Sequence, residues 1–365
     1  MHLCKHQGAG SGYGARMRAL TVIPQQANSL ELSDIPEPER NEGDVPVDVV
    51  AVGICGTDVE IMGGEYGEAP PGHDRLVLGH ESLGRVREAP SGSGVAQGDL
   101  VACIVRCPDP VPCTNCAAGQ WDFCSNGLYT EHGIKGLDGF MRERYRAAPD
   151  RLVKADSALG LAAVLLEPTS IVAKAWAEID RFAARDAEKR KVALVTGAGP
   201  VGLLAALLGV QRGLEVHVLD VVTDGPKPAL VRDLGAHYHS DGIENLGVHP
   251  DVAVECTGVA PVVLGSIEVV RPNGITCLTG VSSPGRTKQV DLGSLNRELV
   301  LENNLVFGSV NANRTHWEAA AKALADADRG WLDRLVTRTV PIDDYQQAFR
   351  HDETDVKVVL EVNGL

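Results

Sequence analysis

Positive charge is scarce in this chain: 34 Lys and Arg stand against 49 Asp and Glu, a net charge of −15 over 365 residues. A field of that sign repels phosphate backbones and anionic membrane surfaces, so nucleic acid and lipid headgroups are excluded as partners. No apolar run approaches the roughly 20 residues of a membrane span, and the opening MHLCKHQGAGSGYGAR has no apolar stretch to act as a signal peptide. The expectation is a cytosolic protein. An even cysteine set behind an export signal is missing too, because the nine cysteines are odd in number and the chain is large. That favours thiols and metal ligands over a disulfide framework. Internal repeats are absent, as is low-complexity sequence beyond the N-terminus.

What is present divides the chain. A length of 365 residues exceeds the usual single core, so two domains are expected. Residues 1–16 are Gly-rich, aperiodic and expected to be disordered, whereas MRALTVI from Met17 alternates into a strand and makes Met17 a plausible natural start. Residues 17–172 are rich in Gly, Pro and Val with short strand-like runs such as VPVDVVAVG and GDLVACIV, the texture of an irregular, mostly β domain. From about residue 190 strands (KVALVTG, EVHVLD, DVAVECTG, GITCLTG) alternate with helices (GPVGLLAALLGVQRG, KPALVRDLG, APVVLGSIEVV), which implies an α/β, doubly wound parallel sheet over 173–311. The tail, 312–365, offers an amphipathic helix, THWEAAAKALADAD, and a closing strand, DVKVVLEV.

The GAGPVG stretch sets Gly197, Gly199 and Gly202, with Pro200 and Val201, between a strand and a helix, and Asp220 ends the next strand. Alone the glycine pattern is weak, but strand–turn–helix is the setting in which glycines admit a pyrophosphate to a helix N-terminus. Asp220 then accepts hydrogen bonds from an adenosine ribose diol, and its charge repels a 2′-phosphate. NAD is therefore expected over NADP.

Chemistry must come from the first half. GICGTD carries Cys55 and Thr57, LGHESLG carries His80 and Glu81, and LLEP carries Glu167 at the domain junction. Thiolate, imidazole and carboxylate suit a catalytic zinc with one open position. Each residue also has an ordinary structural reading: a small buried hydrophobe for Cys55, a satisfied core histidine for His80, an exposed helix residue for Glu167.

In this order GICGTD, GHE, a four-cysteine stretch, LLEP and GAGPVG resemble the zinc-dependent medium-chain alcohol and polyol dehydrogenases across residues 17–365. EHGIKGLDGFMRE and GSVNANRTHW are most similar to the glucose (aldose) 1-dehydrogenase branch. The resemblance implies a GroES-like catalytic domain, including the C-terminal segment, beside a Rossmann domain. It also implies a zinc held by Cys55, His80 and Glu167, with Glu81 beside it as a direct or water-mediated ligand. Thr57 is implied as the hydroxyl that passes the substrate proton outward, and Glu131 and Asn311 as sugar-hydroxyl contacts.

The same resemblance implies a structural zinc in a lobe at about 103–127. Cys113, Cys116 and Cys124 reproduce the last three positions of the family's spacing, and Pro110 stands at the first. Cys107 or Asp109 would then close the tetrahedron; Cys107 gives the softer ligand set and is preferred, and a three-ligand, metal-poor lobe is the remaining alternative. A nucleic-acid-reading zinc ribbon lacks a basic footprint here.

The implied reaction is hydride transfer from C1 of a cyclic aldose to a nicotinamide cofactor, giving the aldonolactone. The rivals are a dehydrogenase of another polyol, cyclitol or sugar intermediate, and a catalytically dead relative that binds a partner. The family implies a dimer or tetramer.

Overall fold

A computed structural model describes residues 15–282, 289–350 and 352–365. Most of the expected disordered segment, residues 1–14, therefore lies outside the described residues; its last two residues do not, and Arg16 already pairs with Pro36 in a strand running Arg16–Val22.

The catalytic half is built on a seven-stranded sheet. Val45–Gly53 lies at its centre, flanked by Glu81–Val86 on one edge and by Arg144–Ala147 and Lys357–Glu361 on the other. The strand Val45–Gly53 is rich in valine, and its branched side chains suit a pleated surface buried on both sides. Lys357–Glu361, near the end of the chain, thus joins Val45–Gly53 to a second C-terminal strand, Val336–Pro341, within one sheet.

The second half contains six parallel strands in the spatial order His237–His239, Glu215–Leu219, Val192–Thr196, Val252–Glu255, Ile275–Leu278, Leu305–Gly308. That is the 3-2-1-4-5-6 order of a dinucleotide-binding sheet, whose ligand crevice lies outside the carboxyl ends of the strands. His237–His239 and Leu305–Gly308, the two edge strands, carried no alternation long enough to be read in the sequence.

Between the halves runs Ser157–Ala183, a helical stretch long and apolar enough to cross a membrane by length and composition. Glu167, Lys174, Glu178, Asp180 and Arg181 interrupt it, so it is not a continuous apolar run. Its apolarity is that of a core helix, with 78% of its most apolar window buried. The helix Leu166–Ala183 continues through the boundary expected at 172–173, so one rigid element belongs to both halves. One apolar core follows from it, running from Val50 and Leu83 through Val164 and Leu165 to Val195 and Leu204. Trp176 anchors the joint, fully buried with its indole N–H donating to the Ala205 carbonyl at 3.0 Å.

Candidate active site

Cys55 precedes the helix Gly56–Met62, and its backbone N–H donates to Asp58 Oδ2 at 2.9 Å. The other oxygen of Asp58 lies 3.3 Å from His80 Nδ1, with Asp58 0% and His80 5% exposed. Asp58 therefore fixes the imidazole plane and leaves Nε2 for whatever occupies the site. Burial alone would lower the His80 pKa, yet Asp58 and the Cys55 sulfur outweigh it and hold His80 well above its ordinary value.

Glu81 begins the next strand, and its carboxylate lies over Gly53, where an added Cβ would meet Glu81 Oε2 at 2.0 Å. Glycine is required there by that approach. Lys357 Nζ donates to both Glu81 oxygens at 2.6 and 2.7 Å and to the Ile54 carbonyl at 3.1 Å. Burial is the largest influence on the Lys357 pKa and pushes it down, but Glu81, Cys55 and Glu167 together outweigh it and hold the pKa above its ordinary value.

Cys55, His80 and Glu81 each bring a ligand atom within 4.8 Å of the other two. Glu167, second residue of its helix, does not join that tight group but belongs to the same electrostatic cluster. Burial first, then Glu81, drives its pKa from 4.5 to about 7 against the pull of His80 and Lys357. It is 7% exposed, and among the described residues its carboxylate has no hydrogen-bond or ion-pair partner. An unpartnered buried carboxyl beside a thiol, an imidazole and a second carboxylate makes a mixed sulfur, nitrogen and oxygen donor set. A divalent, borderline-soft cation such as Zn²⁺ fits it.

Thr57 sits on the same helix beside the Tyr66 phenol. Burial pushes the Tyr66 pKa up to about 12, with a hydrogen bond from Thr57 opposing it. Elsewhere in the catalytic half Glu131 and Asn311, 180 residues apart, meet: Asn311 Nδ2 donates to Glu131 Oε1 at 2.7 Å, and Arg106 Nε donates to the same oxygen at 3.0 Å. Asn311 adopts φ +63, tolerable for asparagine, and its segment is tethered by Lys174 Nζ on the Val310 carbonyl and Trp121 Nε1 on the Ala312 carbonyl.

In the lobe Cys113, Cys116 and Cys124 lie within 4.8 Å of one another, and Cys107 does not join them. The preferred fourth ligand therefore stands apart from the other three thiols in this structure. Its strand, Arg106–Cys107, pairs with Thr130–His132, and the ladder turns the thiol to His132 Nε2 at 3.9 Å instead of back through PDPVP. Asp109 remains in the lobe, 4% exposed, accepting from the Val111 N–H and the Asn126 amide. Backbone N–H groups of Cys116 and Ser125 lower the Cys113 pKa to about 6, which favours a thiolate.

At the second sheet, a Cβ on Gly202 would lie 1.8 Å from the Gly197 carbonyl, so the turn closes only with glycine there. The helix Pro200–Gln211 follows, with Pro200 at its first turn and Val201 next. Asp220 ends the neighbouring strand and accepts from the Ala198 N–H at 2.6 Å and the Val222 N–H at 3.0 Å, tying its carboxylate to the glycine turn. A cavity of about 500 Å³ opens beside it, lined by Asp220, Val221, Ile243, Thr257 and Val262 among others.

Two family models match in tandem: the alcohol dehydrogenase GroES-like domain over residues 41–157 and the glucose dehydrogenase C-terminus over residues 160–362. The chain belongs to the glucose dehydrogenase branch of the zinc-dependent medium-chain dehydrogenases. Curated relatives in this family include glucose 1-dehydrogenases of Thermoproteus tenax, 41% identical over 95% of this chain and 99% of its own, and of Methanocella arvoryzae, 37% identical over 95% and 100%. Among solved structures, the Haloferax mediterranei glucose dehydrogenase in complex with NADP, Zn and gluconolactone is 30% identical. It superposes with a TM-score of 0.88 over 96% of this chain and all of that one.

Sequence reasoning missed three residues that contact the candidate site. Asp58 was visible as the acid three residues after Cys55, a helix-capping spacing, but its service to His80 was not. Tyr66 carried no signal. Lys357 reaches Glu81 from 276 residues away, and nothing local announces it.

Proposed function

We propose that this chain oxidises glucose or a closely related aldose at C1, with a zinc held by Cys55, His80 and Glu167 and with Glu81 beside it. The single observation that carries this reading is the buried, unpartnered Glu167 carboxyl next to Cys55 and His80 at the joint of the two halves. Support for the sugar comes from the relatives named above and from the Glu131–Asn311 pair, which leaves Glu131 Oε2 free for a hydroxyl.

Bound zinc supplies Lewis acidity toward the C1 hydroxyl. A nicotinamide cofactor held at the Gly197–Gly202 turn would supply the hydride acceptor. The protein does the remainder. Asp58 orients His80, Lys357 holds the Glu81 carboxylate in place, and the Thr57 hydroxyl takes the C1 hydroxyl proton and passes it toward Tyr66. The C1–H pair leaves with the hydride, the O–H proton leaves through Thr57 Oγ1, and the lactone remains.

For the cofactor we propose NAD over NADP. The Asp220 carboxylate is committed to the ribose end of the turn, and Val221, 88% exposed, offers no cation to a 2′-phosphate. Lys227, in the first turn of Pro226–Asp233, is the cation placed nearest in sequence to soften that preference. A homodimer or homotetramer is supported by Leu292, Val300 and Leu301, all at least 60% exposed on the helix preceding the edge strand Leu305–Gly308. All eight described cysteines are unpaired, which supports a reducing compartment such as the cytosol.

The test is reduction of each nicotinamide cofactor at 340 nm with a panel of aldoses and polyols. Glucose turnover at a kcat/KM within tenfold of the best substrate supports the reading. A polyol or cyclitol preferred by a hundredfold replaces it with the alternative dehydrogenase.

A further inference from the structure

Outside the catalytic half, the edge of the parallel sheet brings three histidines and a glutamate onto one face. In the parallel pairing His217 stands opposite His237, and Leu219 opposite His239, so the two-residue period of the strands points Glu215, His217, His237 and His239 the same way. His217 Nε2 lies 3.1 Å from Glu215 Oε1, and His237 Nε2 lies 3.7 Å from the same oxygen. The three donor atoms are within 4.8 Å of one another, and the His217 and His237 rings stack with centroids 4.8 Å apart.

We propose that Glu215, His217 and His237 form a further divalent-metal site, of the two-imidazole, one-carboxylate type that takes Zn²⁺ or Ni²⁺. A metal at roughly 2.0–2.1 Å from two donors at the tetrahedral angle sets them about 3.3 Å apart, and the observed 3.1 and 3.7 Å bracket that value. Small rotations of Glu215 and His237, 54% and 58% exposed, complete the approach and give the ion its entry from solvent.

The surrounding chemistry favours ligation over a plain ion pair. With a metal on His217 Nε2, Nδ1 carries the proton and donates it to His239 Nε2, 2.8 Å away. This is the outer hydrogen bond that orients metal-binding histidines. The consequence reaches the cofactor face. The site joins the edge strand His237–His239 to the strand that ends at Asp220, whose N–H donates to the His239 carbonyl at 3.1 Å.

The test uses the zinc-replete enzyme dialysed against a buffered excess of Zn²⁺, with zinc per chain counted by elemental analysis in wild type, His237→Asn, Glu215→Gln and the exposed control His73→Asn. Wild type and His73→Asn take up one more zinc per chain than His237→Asn. Each site variant weakens that extra binding by at least tenfold in titration while retaining glucose turnover, which shows that it is folded. Equal zinc uptake and equal affinity in wild type and both site variants overturn the site and leave a metal-free histidine network.

Discussion

Lys357 Nζ lies 2.6 Å from Glu81 Oε2, each side chain is 2% exposed, and the two residues are 276 positions apart. A charge pair so deeply buried is worth little as a gain in stability, but breaking it strands a carboxylate in the core. Lys357→Met is expected to destabilise the protein by about 3–5 kcal/mol in denaturant unfolding, and adding Glu81→Gln should recover most of that loss. Independent, additive effects of the two substitutions would show that the pair is not coupled.

Glu167 links stability to pH. Its folded-state pKa of about 7 stands above the usual 4.5, so protonation favours the folded protein. In protein depleted of the catalytic metal this contribution is whole below about pH 4.5 and lost as pH rises through 7, a span of up to about 3 kcal/mol. Glu167→Gln should flatten the melting temperature between pH 5 and 8 in the metal-depleted state. The same substitution should also weaken zinc retention. A parallel pH profile in wild type and variant would remove Glu167 from the cluster.

For the chemistry, Cys55→Ala or His80→Ala should abolish turnover while cofactor binding, followed by nucleotide fluorescence, persists. Thr57→Val should lower kcat by roughly 10²–10⁴-fold, the usual worth of a positioned proton-transfer group. Tyr66→Phe should cost less, because the first transfer at Thr57 Oγ1 survives. An unchanged rate in Thr57→Val would take the relay from this residue.

In the lobe, Asp109→Asn should lower zinc content and thermal stability, whereas Cys107→Ser should leave zinc content unchanged, since its thiol faces His132. Elemental analysis and calorimetry of the two variants decide between them. Zinc loss in Cys107→Ser alone would restore Cys107 as the fourth ligand.

The cofactor preference is measurable as kcat/KM with NAD and NADP. A 2′-phosphate against Asp220 meets like charge and desolvation, so NAD should be favoured on the order of 10²-fold or more. Asp220→Ser with Val221→Arg should move the ratio toward NADP. Equal values in wild type would mean that Asp220 does not meet the ribose.

Much of this protein was written locally. VPVDVVAVG became the strand Val45–Gly53 without a shift, and GAGPVG fell between strand and helix as its glycines require, because close backbone approach is dictated by the residues themselves. The donor types of the proposed zinc site were legible for the same reason: thiol, imidazole and carboxylate announce their chemistry one residue at a time. What the sequence could not determine depends on partners brought from afar. Asp58 behind His80, Lys357 on Glu81, Asn311 on Glu131 and Glu215 between His217 and His237 each need a register or a crossing that only the folded sheet supplies. Cys107 shows the converse. Its spacing suited a metal, but ladder hydrogen bonds to Thr130–His132 fixed its direction, and backbone pairing overruled side-chain chemistry.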